Sequence, residues 1–392
     1  MRLVARVSLA ATLAISLLAC ARPPQKPETS SRRAPAVGVA GGETAPVAPE
    51  ERAPRVSQTT SPLAGTGGPA RAALAVDDRT FGAPTVLGNL VIYPVTSRSQ
   101  VAVGPLVSLD DALVRRDAEV RETTGGGAVN QLVIDNKGST PIFVLAGTVV
   151  KGGNQDRQIG QDFIIESKKT TPVDAFCVEH GRWNGQRDGH VTAGKFHSSG
   201  VVATSKVRAA GQYKKSQGEV WSNVSSTNAA HRKHSSSDTL MATLDDAAVA
   251  KEREELVARI DGALAAVTPA SDLVGVAYAI DGEVRGARWF SHHDVFELVR
   301  KKVVGGIALD AITASAEAKS AGRPPQAKPA PPPSAVDAFV KDIEAQAIKE
   351  QRDTPAANVN EYKESADGFG SKTMMKGARP SAKPVSNDYL KK

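Results

Sequence analysis

The stretch LVGVAYAIDGEVRGARWF, Leu273 to Phe290, decides the fold class. Two apolar runs flank Asp281-Gly282, a dipeptide that accepts the positive φ angles of a type I′ turn, so the segment reads as a β-hairpin. Ser291, with Asp294 three residues on, then opens a helix that carries Phe296, Val299, Val303 and Ile307 on one face. A hairpin followed directly by an amphipathic helix belongs to an α+β domain rather than to a βαβ array.

Reading outward, the same irregular alternation continues. Toward the N-terminus, a helix spans about Leu244 to Val267, with Leu256, Ile260 and Leu264 on one face and Lys251 four residues from Glu255. Residues 185 to 237 are rich in Ser, Gly, Lys and His with little periodicity, which predicts loop or short strands. Strands are expected at Pro172 to Glu179 and near Ile159 to Glu166. Val129 to Asp135 and Pro141 to Val150 read as a hairpin around Asn136-Lys137-Gly138, and Gly125-Gly126-Gly127 reads as a turn. Ser108, with Asp111 at the third helical position, caps a short helix Leu109 to Arg116, and Val86 to Val95 reads as a strand. Toward the C-terminus, Ser315 to Ser334 holds six prolines and predicts an extended inserted loop. Ser334 and Asp337 then cap a helix with Val336, Phe339, Ile343 and Ala347, followed by short strands at Phe369 to Met375 and Asp388 to Leu390. The expectation is a single α+β domain over residues 81–392, mostly antiparallel strands with about four packing helices, interrupted by the Pro-rich loop 315–334.

The first eighty residues differ in kind. All seventeen aromatic residues lie from Phe81 onward, and nine prolines fall between Pro23 and Pro69. Nothing there offsets the entropy of ordering, so residues 20–80 read as a disordered tether. Ahead of it, Arg2 and Arg6 precede an apolar run from Val7 to Ala19 that ends in Leu17-Leu18-Ala19-Cys20. That run is too short to cross about 30 Å of hydrocarbon at about 1.5 Å per residue. It reads as a bacterial lipoprotein signal over residues 1–19, with Cys20 the lipid-attachment site and the membrane its first partner; an ordinary signal peptide is the alternative. Ala21, which is not Asp, favours the outer membrane facing the periplasm by resemblance to lipoprotein sorting.

Two cysteines, Cys20 and Cys177, rule out a disulfide framework and a thiolate zinc cage in a chain of 392 residues. With Cys20 acylated, Cys177 has no intrachain partner and is expected to be buried. The seven histidines form no metal-ligand spacing, so no metal is expected. A formal charge of +7 does not indicate a specific nucleic-acid binder. Between His190 and Leu240, seven Lys or Arg face two acids, a basic segment able to attract anionic envelope polymers or simply to solubilise the chain.

Three segments carry a resemblance. LAGTVVKGGNQDR (Leu145 to Arg157) ends in a Gly-Gly turn followed by Gln and Arg. PVDAFCVEHGRW (Pro172 to Trp183) holds Cys-Val-Glu, Gly, Arg and Trp in order. Gln217 with Val220-Trp221 joins the hairpin and helix from Val274 to Ile312. In these the chain resembles the bacterial ARG and rhodanese-phosphatase-superfamily-associated protein domain family, from about Val86 to the C-terminus. The resemblance implies, by genomic neighbourhood, a connection to ADP-ribose or NAD metabolism.

The candidate chemistry lies in the same strings. Gly152 and Gly153 permit close backbone approach, and Gln155 and Arg157 are able to hold a phosphate or carboxylate, Arg in bidentate fashion. The structural alternative is a tight turn whose Arg157 pairs with Glu179. No Walker motif and no other cofactor motif is present. On a strand, Cys177 and Glu179 share a face and His180 takes the other, so His180 is no base for the thiol. Glu179, Arg182 and Trp183 leave a strand end together and line either a cleft or a structural ion pair. The ligand-binding set is therefore Gly152, Gly153, Gln155, Arg157, Glu179, Arg182, Trp183 and Gln217. Glu179 is the one candidate for acid or base. The expected function is non-catalytic binding of a small anionic ligand, nucleotide or ADP-ribose-like, or of an envelope partner. The alternatives are a hydrolase of an ADP-ribose-like or nucleotide-derived substrate and a structural envelope lipoprotein.

Overall fold

The computed structural model describes residues 78–123, 130–187, 189–323, 328–377 and 383–392. The signal segment with Cys20, the tether up to residue 77 and the turn at Gly125-Gly126-Gly127 lie outside the described residues.

In chain order, β1 (Thr80–Phe81), β2 (Thr85–Leu87) and β3 (Leu90–Thr96) precede β4 (Val107–Ser108) and helix α1 (Leu109–Val114). Then come β5 (Ala118–Glu122), β6 (Gln131–Asn136), β7 (Ile142–Val144), β8 (Thr148–Gly152), β9 (Arg157–Ile159), β10 (Phe163–Ile165) and β11 (Thr170–Cys177). A short ribbon, β12 (Gln186–Arg187) with β13 (His190–Val191), and β14 (Lys195–Val202) lead into α2 (Ser205–Gln212), α3 (Gln217–Ala230), α4 (Met241–Leu244) and α5 (Ala247–Leu264). The hairpin β15 (Leu273–Ile280) and β16 (Glu283–Phe290) feeds α6 (His293–Ser320) and α7 (Pro333–Glu344). Four strands follow, β17 (Glu350–Asp353), β18 (Asn358–Glu364), β19 (Gly368–Met375) and β20 (Lys383–Lys391).

The quoted hairpin forms, with Asp281 at φ 52° and Gly282 at φ 75°. It lies inside a nine-stranded antiparallel sheet ordered β1-β3-β15-β16-β20-β19-β18-β17, with β2 also on β3. Every residue of β15 is buried. The reason is that both sheet faces are covered. α6 packs on one, where Ile92, Val276 and Tyr278 meet Val303 and Ile307, and α7 packs on the other, where Tyr93, Ala277 and Trp289 meet Val336, Val340 and Ile343. A strand covered on both sides reads as an unbroken apolar run, as Leu273 to Ile280 does. The second layer is a closed six-stranded barrel, β11-β6-β5-β14-β8-β9, filled by Val120, Leu132, Ile134, Val150, Ile159, Val173 and Phe196. α6 touches both layers, through β14 on one side and β15 and β16 on the other.

Charge also joins the layers. Arg288 of β16 donates to Asp162, between β9 and β10, at 2.7 Å, and Asp162 also accepts from Ser386 at 2.6 Å and the Ala146 amide at 2.7 Å. Arg208 of α2 donates to Asp388 of β20 at 2.6 Å, and Arg288 lies 4.0 Å from the same carboxylate. None of these four side chains belongs to a residue more than 8% exposed. Burial raises the Asp388 pKa, but the Arg208 and Arg288 guanidiniums outweigh it and hold the carboxyl below its ordinary value.

Several expectations need correction. Among the described residues there are seven α-helices rather than four. Val86 to Val95 is two strands, because Gly88, at φ 76°, turns the chain between β2 and β3. β6 does not pair with β7 or β8; it lies between β5 and β11. The Asn136 amide donates to the carbonyls of Thr140, Ile165 and Glu166, and the Lys137 and Gly138 amides donate to the Asp117 carbonyl, so the turn is pinned to strands outside the expected hairpin. Residues 185–237 include the helices α2 and α3, capped by Thr204 and Ser216. Their buried faces are built largely of Ala, Gly, Thr and Asn beside Val207, Val220 and Val224, which blunts the apolar period. Asp246 caps α5 and separates it from α4, breaking the expected Leu244 to Val267 helix. His292 rather than Ser291 caps α6, which runs on to Ser320 into the stretch expected as loop. α7 starts with Pro333 in its first turn and has no side-chain cap from Ser334. The Glu350–Asp353 and Asn358–Glu364 strands were not foreseen.

The layer joint makes a testable prediction. Asp388 has a lowered folded-state pKa, so its stabilisation is present above the unfolded value and is lost as pH falls through the folded one. Asp388→Asn leaves two buried arginines short of a counter-charge and should cost about 3–5 kcal/mol at neutral pH. It should also flatten the acid limb of the stability curve below the ordinary aspartate value of 3.8. Urea unfolding from pH 7 down to pH ~3 checks both; an unchanged acid limb would show that Asp388 does not carry the linkage.

Candidate functional site

β8 and β9 meet at a tight turn at one mouth of the barrel. Gly152 has φ 133° and Gly153 φ 46°. A Cβ at the first would run into the Lys195 carbonyl, and a Cβ at the second into the Phe196 ring and the Glu122 carboxylate. These two positions therefore require glycine for both conformation and space. β11, which pairs Cys177 with Arg157 across the barrel wall, ends beside this turn and delivers Glu179 and Arg182 to it.

Arg182 is the clamp. Its Nε donates to Glu179 at 3.0 Å, its Nη1 to the Gly153 and Asn184 carbonyls at 2.9 Å each, and its Nη2 to the Gly152 carbonyl at 2.9 Å. Glu179, 2% exposed, also accepts the Asp156 amide at 2.9 Å, and its carbonyl accepts the Trp221 indole N–H at 3.2 Å. Asp156 is fully buried and accepts from the Gly152 amide at 3.0 Å, from Thr239 at 2.8 Å and from Arg187. Burial pushes the Asp156 carboxyl above its ordinary value; Arg187 opposes the shift and the neighbouring Glu179 charge adds to it. Gln217, first residue of α3, accepts the Cys177 amide at 2.9 Å and donates to the Cys177 carbonyl at 2.8 Å, continuing the ladder past the end of β11.

The predicted residues thus come together, and of the two ion pairs weighed, Arg182 with Glu179 forms and Arg157 with Glu179 does not. Arg157 points into the barrel mouth, 0% exposed, with Nη1 on Gln155 at 3.2 Å and on the Cys177 thiol, and with Nη2 3.8 Å from Glu122. Its Nε and Nη2 make no hydrogen bond. Trp183, 56% exposed, lies over it with the guanidinium carbon 5.5 Å from the ring centroid. Cys177 is a buried free thiol whose pKa burial raises against the pull of Arg157. Gln155 is buried and its amide donates to the His180 carbonyl at 3.4 Å. Sequence reasoning missed Glu122, Arg187 and Thr239. Glu122 is marked only by preceding a glycine run, and Arg187 and Thr239 lie in polar sequence with no spacing signal.

The basic segment is more structured and more neutralised than its composition implies. Arg208 is buried on Asp388, Lys206 meets Glu317 at 2.9 Å, Lys214 meets Glu219 at 2.7 Å, Lys233 meets Asp246 at 2.5 Å, and Lys215 pairs with Glu350. Two histidines serve local structure: His180 packs at a tilt against Trp221 with ring centroids 4.4 Å apart, and His293 bonds the Leu273 carbonyl at 2.7 Å. Among the described residues, no group of three His, Cys, Asp or Glu side chains gathers as a metal site, and no helix is long and apolar enough to cross a membrane.

Residues 78–379 match the family model of the ARG and Rhodanese-Phosphatase-superfamily-associated Protein domain, and the chain belongs to that family. Neither a curated protein nor a solved structure shows a match to it.

The clamp predicts a large structural effect. Arg182→Ala strands the buried Glu179 carboxylate and should lower stability by roughly 3 kcal/mol or more. Arg182→Lys should recover only part, because one ammonium cannot span a carboxylate and two carbonyls. Urea midpoints of the two variants check this, and equal midpoints for wild type and Arg182→Ala would remove the clamp from the account.

Proposed function

We propose that this member of the family is a lipid-anchored envelope protein whose barrel mouth binds a small phosphate- or carboxylate-bearing ligand of nucleotide or ADP-ribose type, without catalysis. One observation carries the reading: Arg157 is fully buried in the mouth and two of its nitrogens have no hydrogen-bond partner. A buried cationic donor left unmade is costly, and an anion relieves it with charge-assisted bonds. Its Nε and Nη2 form one edge of the planar fork, the geometry that takes a phosphate or carboxylate in bidentate fashion. The exposed Trp183 indole above it offers a stacking surface for a base. The remaining site residues act as frame: Arg182 fixes the Gly152-Gly153 turn and Glu179, Gln217 fixes the end of β11, and Gln155 steadies Nη1 of Arg157. The family's association with ARG and rhodanese-phosphatase-superfamily proteins is consistent with an ADP-ribose-like ligand, although association alone assigns no chemistry. Tethering at Cys20 rests on the sequence of the leader and concentrates the domain at a membrane surface.

A hydrolytic reading has one observation in its favour. Asp156 sits beside Glu179, and its raised pKa next to a second carboxylate is the pattern of an acid and base pair. Against it, both carboxylates already accept hydrogen bonds from the frame. Loss of turnover in Glu179→Gln, with the protein still folded, would establish that reading over binding.

For binding, ADP-ribose, NAD and inorganic phosphate should each raise the melting temperature of the wild-type domain. Arg157→Lys should weaken the response about tenfold or more by removing the fork. Trp183→Ala should reduce the response to ADP-ribose and leave that to phosphate in place. Equal responses in wild type and Arg157→Lys, or no response to any of the three in the wild type, would end the proposal. The anchor is tested separately: Cys20→Ala should move the protein from the membrane pellet to the soluble fraction and abolish palmitate labelling, and continued labelling would refute it.

A further inference from the structure

The face of the sheet beside α7 carries a cavity of about 380 Å³, lined among others by Trp289, Asn387, Lys372 and Glu361. These four residues form one cross-strand row: Trp289 faces Asn387, Asn387 faces Lys372, and Lys372 faces Glu361 on four successive strands. Beside the row, Gly370 leaves the floor without a side chain between Tyr389 and Lys363. On the α7 side, Glu344 holds Arg79 at 2.8 Å and Tyr389 at 2.8 Å, and Arg79 lies over the Trp289 ring, which stacks on Tyr389 at 4.9 Å. That wall is internally paired. The row is not: the Asn387 amide, the Lys372 ammonium and the Glu361 carboxylate have no hydrogen bond or ion pair with any described residue, although the last two stand on adjacent strands. At the Trp289 end, the buried Ser291 hydroxyl lining the cavity also lacks a partner. Val101, Pro384 and the half-exposed Ile348 supply apolar wall.

We infer that this cavity binds a short zwitterionic peptide of about two residues, its carboxylate on Lys372 and Asn387 and its free ammonium on Glu361. Lys372 and Glu361 face each other on strands whose backbones are about 4.8 Å apart, and each chain residue advances about 3.3–3.6 Å. A dipeptide, about 6.6–7.2 Å long at that rise, outreaches the strand spacing by about 2 Å, which the long Lys372 side chain takes up by leaning outward, whereas a single amino acid falls short of it. The volume lies in the range of pockets that enclose small organic ligands, ~300–1,000 Å³. A simple anion would use Lys372 and leave Glu361 opposed to it; a simple cation would do the reverse. The cavity is lined by none of the barrel-mouth residues, so its occupancy does not depend on Arg157.

Isothermal titration of the full chain with leucyl-leucine tests the assignment, with N-acetyl-leucyl-leucine, leucyl-leucine amide and leucine as comparisons. Leucyl-leucine should bind saturably, and blocking either terminus should weaken it about tenfold. Glu361→Gln should weaken leucyl-leucine and leave the acetylated peptide unchanged, while Lys372→Met should weaken leucyl-leucine and leave the amide unchanged. Both side chains are at least partly exposed and unpaired, so both variants should melt as the wild type does. Binding of the acetylated peptide as tight as that of the free one, tighter binding of leucine than of leucyl-leucine, or no heat with leucyl-leucine at millimolar concentration would overturn the inference. Arg157→Lys should bind leucyl-leucine as the wild type does, which separates this site from the barrel mouth.

Discussion

Four charged side chains, Asp162, Arg288, Asp388 and Arg208, are withdrawn from water where the barrel meets the sheet. Removing such groups from solvent is expensive, and the cost is offset only when the partners meet in good geometry. Good geometry here requires β16 and β20 in register, α2 docked on the sheet and the β9–β10 connection seated against it. The same two strands also set the sheet cavity. Arg288 and Asp388 face each other in the ladder, and the next pair is Trp289 and Asn387; successive residues point to opposite faces, so the ionic joint looks toward the barrel and the cavity row looks away. Asp162 extends the constraint, since its carbonyl accepts from Asn358 and Asn360 of β18 at 3.0 Å each. One joint therefore positions the barrel turn that follows Arg157 and the strands that carry Lys372 and Glu361.

The parts of this arrangement that sequence made legible are those governed by local rules. Asp281-Gly282 reads as a tight turn between two apolar runs and Ser108 with Asp111 as a helix cap, and both form; the same Ser-x-x-Asp pattern at Ser291 and Ser334 caps nothing. Leu256, Ile260 and Leu264 marked the buried face of α5. What was not legible depends on distant partners. The strand after Asn136 failed to pair with the strand before it because the Asn136 amide is held by Ile165 and Glu166, far along the chain. α2 and α3 hid behind small and polar residues whose burial is decided by their neighbours, α3 packing on α6 and β11 and α2 on α3, not by their own period.

The candidate site shows the same division. The strings that hold Gly152, Gly153, Arg157, Glu179, Arg182 and Gln217 were recognisable, and the barrel does bring them together. Which arginine takes Glu179 stayed open between the two, because Arg182 and Arg157 are chemically equivalent in sequence and only the wall of the barrel separates them. Arg182 faces two free carbonyls and Glu179, so it becomes frame. Arg157 faces inward beside Cys177, where among the described residues Glu122 is the carboxylate that approaches it, at 3.8 Å, and its Nε and Nη2 make no hydrogen bond. The fold thus sorts two arginines into one that is fully paired as frame and one, Arg157, that we propose faces the ligand.

That sorting is the central claim, and arginine side-chain NMR reads it most directly. In Nε-detected ¹⁵N spectra, assigned with the Arg157→Lys and Arg182→Lys variants, titration with inorganic phosphate should shift the Arg157 resonance saturably and leave that of Arg182 in place. A stationary Arg157 signal, or a larger shift at Arg182, would contradict the account.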